Sequence, residues 1–247
     1  MLASKILVRH LAQMYIRKMS NVSENSTPQA KCNSSAVLLL EDDAKIREIF
    51  KFAIEPLGYD VITSSNADDF KQAVRHSVAK MHREYNRLTC FLDIFVPGNG
   101  VQVFSFLKAE FPFIPVVFCS GSADIPMAVD LMKSGAKDFL QKPFSLGQLI
   151  EAVESALTSF ETRYKDHQLR EHAVDVFESL SKREREFLQI HLSMPEADMG
   201  TVAKNLGITR RTAETHRASV NSKLMTHFST LEQFVLVYGR NSILEPD

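Results

Sequence analysis

Residues 37–43 read VLLLEDD: four apolar residues in a row, then three acids. An unbroken apolar run of this length marks a parallel strand buried on both faces, because a strand with one wet face would alternate. Ile46, Ile49, Phe50 and Ala53 follow at helical spacing, and Pro56-Leu57-Gly58 ends that helix. The alternation then repeats. Asp60–Thr63, Cys90–Asp93, Ile114–Cys119 and Asp138–Leu140 read as further short strands, and 68–85, 101–110, 125–134 and 145–165 as helices. Five strand–helix units predict an α/β domain with a doubly wound, five-stranded parallel sheet, in which a site lies beyond the carboxyl ends of the strands.

Polar residues fall at those ends. Glu41-Asp42 follows the first strand, Asp93 ends the third, Ser120 follows the fourth and Lys142-Pro143 the fifth. The topology would bring all of them to one edge of the sheet. Three clustered carboxylates repel one another unless a cation joins them. A hard ion such as Mg²⁺ binds through one or two carboxylates and keeps waters for a phosphoryl ligand. One carboxylate can then act as a nucleophile toward phosphorus, with a nearby ammonium and hydroxyl to stabilise the added charge. Taken singly, each residue has an ordinary explanation: acids after strands cap the next helix, and a lone lysine is solvated. The coincidence of five positions carries the reading. Asp43 extends the acidic run and reads as a helix cap.

The charge distribution changes along the chain. Residues 36–157 carry 12 Lys+Arg against 16 Asp+Glu, whereas residues 181–240 carry 9 against 6. An acidic part followed by a basic part directs a polyanion to the second. From Leu180 onward only helices are predicted. Ser181 and Glu184 form a capping-box start to a helix with Phe187, Leu188 and Leu192. Thr201–Leu206, a break at Gly207, and Thr209–Leu224 then give helix, tight turn, longer helix, with Thr209 as cap. The longer helix offers Arg210, Arg211, Thr212, Thr215, His216, Arg217 and Lys223 on faces left free by Ala213, Val220 and Leu224. A positive helix in the major groove, its N-terminus near phosphates, is the helix-turn-helix arrangement; a helical protein-binding module with a solvated basic face is the alternative. Between the two parts, Glu161–Glu171 (ETRYKDHQLRE) has few apolar anchors and reads as an exposed linker helix.

VLLLEDD, CFLDIFVPGNG (90–100) and VVFCSGSADIPMAVDLMKSGAKDFLQKPF (116–144), with the spacing between them, resemble the receiver domain of response regulators, a flavodoxin-like fold. The resemblance implies that Glu41, Asp42, Asp93 and the backbone carbonyl of Phe95 hold Mg²⁺. It implies that Asp93 accepts a phosphoryl group from a sensor histidine kinase, that Ser120 and Lys142 engage the phosphoryl oxygens, and that Phe139 is the aromatic switch. Lys142-Pro143 resembles the family's cis-proline turn. Asp93 to Gly100 spans seven residues where the family usually has eight, so the loop after the acceptor is one residue short.

LSKREREFLQI (180–190) and VAKNLGITRRTAETHRASVNSKL (202–224) resemble the LuxR-type helix-turn-helix of FixJ/NarL-type regulators. By position, Glu214, Thr215 and Ala218 then face base edges, while Arg210, Arg211, Thr212 and His216, with Thr209 at the helix start, hold phosphates. The preceding turn, MPEADMGT (194–201), is about two residues longer than usual and acidic, and Ala213 stands where valine is common. The resemblance implies residues 36–157 as receiver, 158–177 as linker helix and 178–247 as a four-helix DNA-binding domain. The partners implied are a kinase, double-stranded DNA, RNA polymerase and a second copy of the chain on phosphorylation.

A haloacid-type phosphatase also uses an aspartate nucleophile after a strand, but it needs a second Asp two residues on, where this chain has Phe95. A receiver that no longer takes phosphate is disfavoured because Glu41, Asp42, Asp93, Ser120 and Lys142 are all present. No enzymatic activity beyond the receiver's own Mg²⁺-dependent phosphorylation is expected. Cys32, Cys90 and Cys119 form no CxxC pair, which fits buried thiols in a reducing, cytoplasmic setting. No apolar run reaches the roughly 18–20 residues of a membrane span. Residues 1–35 read as a disordered extension or an overlong start: Lys5, Arg9, Arg17 and Lys18 with no acid among the first 23 residues, then a Ser/Asn-rich stretch, and no apolar region long enough for secretion. A targeting peptide or surface-seeking helix with Ile6, Leu7, Leu11 and Met14 is the alternative for the first part.

Overall fold

The structure is a computed structural model that describes residues 34–81, 83–121 and 125–239. The extension read over residues 1–33, with Cys32, lies outside the described residues. Ser35, assigned to that extension, instead opens the first strand. Two compact units are present, the first ending at Tyr164 and the second beginning at Lys165.

The first unit runs β1 (Ser35–Leu40), α1 (Ala44–Ile54), β2 (Asp60–Ser64), α2 (Ala67–Ala79), β3 (Arg87–Leu92), α3 (Gly100–Glu110), β4 (Val116–Ser120), α4 (Ile125–Lys133) and β5 (Asp138–Gln141). The long helix α5 (Leu146–Ser179) begins in it, and its residues from Lys165 on belong to the second. The strands form one parallel sheet in the order β2-β1-β3-β4-β5. All six residues of β1 are buried, as the unbroken apolar run requires. Alternate residues feed two cores. Leu38, Leu40, Cys90, Leu92 and Phe118 pack with Phe70 and Val74 of α2 and Val103, Phe104 and Leu107 of α3. Val37, Leu39, Phe91, Val117 and Cys119 pack on the other face with Phe50, Ala53 and Ile54 of α1 and Leu149, Ile150 and Val153 of α5. Burial pushes the Cys90 and Cys119 thiols far above their ordinary range, so both are inert.

Three details depart from the periodicity. The second helix stops at Ala79 rather than Tyr85, because Met81 and Tyr85 pair in an isolated bridge and are buried there by a turn; their four-residue spacing imitates a helical stripe. β4 starts at Val116, since Pro115 has no N–H for the ladder and serves through its carbonyl, which accepts from Cys90 N at 3.0 Å. Ile49, expected on the apolar stripe of α1, is 66% exposed, and Ile54 fills the stripe instead.

In the second unit α6 (Lys182–Ser193), α7 (Met199–Leu206), α8 (Arg210–Leu224) and α9 (Leu231–Tyr238) surround Phe187, Leu188, Val202, Ala213, Val220, Leu224 and Phe234, with Ala173, Val176 and Phe177 of α5 in the same core. The capping box is formed in both directions: Glu184 N donates to Ser181 Oγ and Ser181 N to Glu184 Oε2. The Glu184 carboxylate also accepts from Ser219 Oγ at 2.5 Å and Lys223 Nζ at 2.8 Å, tying the start of α6 to the last turns of α8. Burial alone would raise its pKa, but the hydrogen bonds from Lys223, Ser219 and Ser181 outweigh it and bring it down to about 2.

Candidate functional site

The strand register assembles the site. Leu40 is level with Leu92, Leu92 with Phe118, and Ser120 with Gln141, so the residues just past each strand emerge side by side. The ladder continues one step beyond the strands: Asp93 N donates to Leu40 O at 2.9 Å, Glu41 N to Ser64 O at 3.1 Å and Lys142 N to Ser120 O at 2.9 Å. Glu41 and Asp93 are thereby fixed as neighbours, 1% and 8% exposed.

Lys142 joins them. Its Nζ lies 2.5 Å from Glu41 Oε2 and 2.7 Å from Asp93 Oδ2. Desolvation acts against the ammonium, yet the hydrogen bonds to Asp93 and Glu41 outweigh it and hold the Lys142 pKa above the ordinary lysine value. Burial pushes the Glu41 carboxyl up, by more than Lys142 pulls it down. A positive charge is thus already demanded where the two acids meet. The Lys142–Pro143 peptide bond is cis. The second oxygen of Asp93, Oδ1, accepts from Phe95 N at 3.2 Å.

Ser120, the last residue of β4, is fully buried. Phe139 on β5 is level with Phe118, half-buried and packed against the first core. Phe95 is 56% exposed. Glu41, Asp42 and Asp93 each place a ligand atom within 4.8 Å of the others. The donors are all carboxylate oxygens and the Asp42 carboxylate is open to solvent, so the set fits a hard divalent ion such as Mg²⁺. Asp43 turns away: it caps α1 by accepting from Lys45 N at 2.7 Å. Removing the Asp43 cap should cost about 1 kcal/mol of stability and little Mg²⁺ affinity, whereas Asp42→Asn should leave stability nearly unchanged and weaken Mg²⁺ at least tenfold. Calorimetric Mg²⁺ titration beside thermal melts of both variants checks this; equal affinity losses would mean the metal pair is displaced by one residue.

The shortened loop after Asp93 closes by two backbone devices. Asn99 adopts a positive φ of 60° and its side chain caps α3 by accepting from Val101 N at 2.8 Å. Gly100 lies so close to Asp93 that a Cβ there would overlap its carbonyl oxygen. One residue of this site was not singled out from sequence. Arg47, in the first turns of α1, donates from Nη1 to Glu41 O at 2.7 Å and Asp42 O at 2.9 Å. Its position five and six residues after the acid pair, one helical turn in, is the signal that could have found it.

In the second unit Thr209 caps α8 by accepting from Thr212 N, and Gly207 takes the left-handed conformation between α7 and α8. Arg210, Arg211, Thr212, Glu214, Thr215 and Ala218 are exposed, and Ala213, Val220 and Leu224 are buried. His216 is half-buried, its ring 6.4 Å from that of Phe187. Arg210 Nε and Glu214 Oε1 form an exposed pair at 3.0 Å.

A five-stranded parallel sheet with acids, a serine and a lysine at its carboxyl edge, followed by a helical unit, is the architecture of a response regulator. Residues 37–154 match the response regulator receiver domain family. The chain is 28% identical to the transcriptional regulatory protein FixJ of Bradyrhizobium diazoefficiens over 84% of its own length and 96% of the relative's. It is 31% identical to FixJ of Azorhizobium caulinodans, over 77% and 86%. Among solved structures, the response regulator StyR superposes with a TM-score of 0.59 at 28% identity, covering 85% of this chain and all of that one. The chain belongs to the two-component response regulators of FixJ/NarL type. Among the described residues no helix is long and apolar enough to cross a membrane.

Proposed function

We propose that Asp93 is phosphorylated by a sensor histidine kinase and that this switches a LuxR-type helix-turn-helix, built on residues 178–247 and joined to the 36–157 receiver through 158–177, between weak and tight DNA binding. The observation that carries the reading is the Lys142 ammonium bridging Glu41 and Asp93 at the edge of the sheet. Asp93 supplies the nucleophile: one of its carboxylate oxygens attacks phosphorus, and the bond from phosphorus to the donor nitrogen breaks. Lys142, already within hydrogen-bonding distance of Asp93, pairs with the phosphoryl oxygens, and the Ser120 hydroxyl donates to another. Glu41, Asp42 and Asp93, with the Phe95 carbonyl, would hold Mg²⁺, which would supply positive charge against those oxygens. Movement of Ser120 toward the phosphoryl group draws Phe139 inward, and that change favours a dimer. The phosphorylated dimer then engages RNA polymerase at its target promoters.

The exposed face of α8 supports the DNA reading. Arg211 lies in its first turn, where free backbone N–H groups already favour a phosphate, so it positions rather than specifies. Glu214 can accept from a cytosine amino group and would be repelled by a phosphate. Its pairing with Arg210 is solvent-exposed, and such pairs contribute ~0–1 kcal/mol, so DNA can separate them at small cost. Arg211→Ala should weaken binding to every sequence and flatten the salt dependence by about one unit. Glu214→Ala should change preference at one base position by roughly 1–3 kcal/mol and leave the salt slope in place. Titrations on a selected and a scrambled site at several salt concentrations decide; exchanged roles would show α8 rotated on the DNA, and two silent variants would remove DNA from the function.

A further inference from the structure

A guanidinium beside a metal-binding pair of acids would ordinarily be expected to pair with their carboxylates. Arg47 does something else. Nη1 donates to the backbone carbonyls of Glu41 and Asp42, at 2.7 and 2.9 Å, and Arg47 forms no ion pair with any described carboxylate. The turn it grips needs a hold. β1 ends at Leu40, the last ladder bond on this side is Glu41 N to Ser64 O, and α1 begins only at Ala44, with Asp43 as its cap. The Asp42 backbone lies between these anchors; Asp43 N donates across it to Glu41 Oε1 at 3.3 Å, and among the described residues Arg47 supplies the hydrogen bond to the Asp42 backbone itself.

We propose that Arg47 is a positioning residue for the metal pair: by taking up both carbonyls of the β1–α1 turn it fixes the backbone from which Glu41 and Asp42 reach the site, and makes no bond to their carboxylates. This rests on the Mg²⁺ reading of that cluster. Partners in the outer shell of a metal site orient its ligands in this manner, and their loss commonly lowers affinity by 10–100-fold.

The charge of Arg47 makes the proposal easy to overturn, because two effects have opposite signs. Acting only as a nearby cation, Arg47 would oppose Mg²⁺, and its removal would tighten binding. Acting as a positioner, its removal loosens binding. The test is calorimetric Mg²⁺ titration of the full chain, with thermal melts in chelator for the same variants. Arg47→Met should weaken Mg²⁺ about tenfold while its metal-free melting temperature stays near that of the parent. Arg47→Lys keeps the charge and a donor able to reach at least one carbonyl, so it should recover most of the affinity. Unchanged or tighter binding in Arg47→Met overturns the proposal. If that variant does not fold, Arg47→Gln takes its place and must bind more weakly than Arg47→Lys; the reverse order overturns it. A parent chain that binds no Mg²⁺, or an Asp42→Asn variant that binds it equally well, overturns the underlying metal reading instead.

Discussion

Replacing Asp93 by Asn should abolish phosphoryl uptake. Incubated with acetyl phosphate and Mg²⁺, the parent chain should gain one acid-labile phosphoryl group, and the variant none. The size of the effect follows from the chemistry: an amide nitrogen or oxygen is a poor nucleophile toward phosphorus, whereas the Asp93 carboxylate already lies against the Lys142 ammonium that would receive the phosphoryl charge. The substitution preserves shape and leaves Lys142 its second partner, Glu41, so the fold should persist. Phosphate retained in the variant would place the acceptor elsewhere, with Asp42 the first residue to examine. Uptake indifferent to chelator would remove the metal from the account.

The second large effect is expected at Gly100. A methyl group there meets backbone, the carbonyl oxygen and carbon of Asp93, and not the flexible end of a side chain. Relief requires moving either the acceptor residue or the start of α3, whose first residue is Gly100 itself. Gly100→Ala should therefore cost ~2–4 kcal/mol of receiver stability and disturb phosphorylation even where the domain still folds. Gly58→Ala is the control. Gly58 has φ of +87° with no atom near a prospective Cβ, so only backbone strain is added, about 1–2 kcal/mol. Thermal melts of both variants, with phosphorylation of whatever remains folded, provide the measurement. Equal costs at the two positions would show that the close approach of Gly100 to Asp93 is relieved without consequence.

Much of this was legible in the chain because strand and site obey one rule. A strand buried on both faces is apolar nearly throughout, so the polar residue that ends it announces the sheet edge, and Glu41, Asp93 and Ser120 stand at such boundaries. Lys142 follows the shorter, partly exposed edge strand β5, one residue after Gln141. The caps were legible for a similar reason: Asp43, Ser181 and Thr209 each precede a helix and bond its first turn. Features that depend on partners distant in sequence were not. Met81 and Tyr85 have helical spacing, and only their bridge reveals the turn. Glu184 reads as half of a capping box, but its bonds to Ser219 and Lys223 come from a helix 35 and 39 residues away. Arg47 looks like any basic residue on an exposed helix until its guanidinium is seen on two carbonyls. The pairing of Arg210 with Glu214 is an i and i+4 contact on one helix, legible from spacing alone.

If phosphorylation of Asp93 controls DNA binding by the second unit, a single titration should show it. The parent chain and Asp93→Asn are titrated with a selected DNA site at fixed salt, each with and without acetyl phosphate and Mg²⁺. A phosphorylated dimer reading two half-sites should bind at least tenfold more tightly than the untreated chain, a gain of about 1.4 kcal/mol or more, and Asp93→Asn should not respond. Equal affinity of the treated and untreated parent chain, with phosphorylation verified in the same sample, would contradict the account.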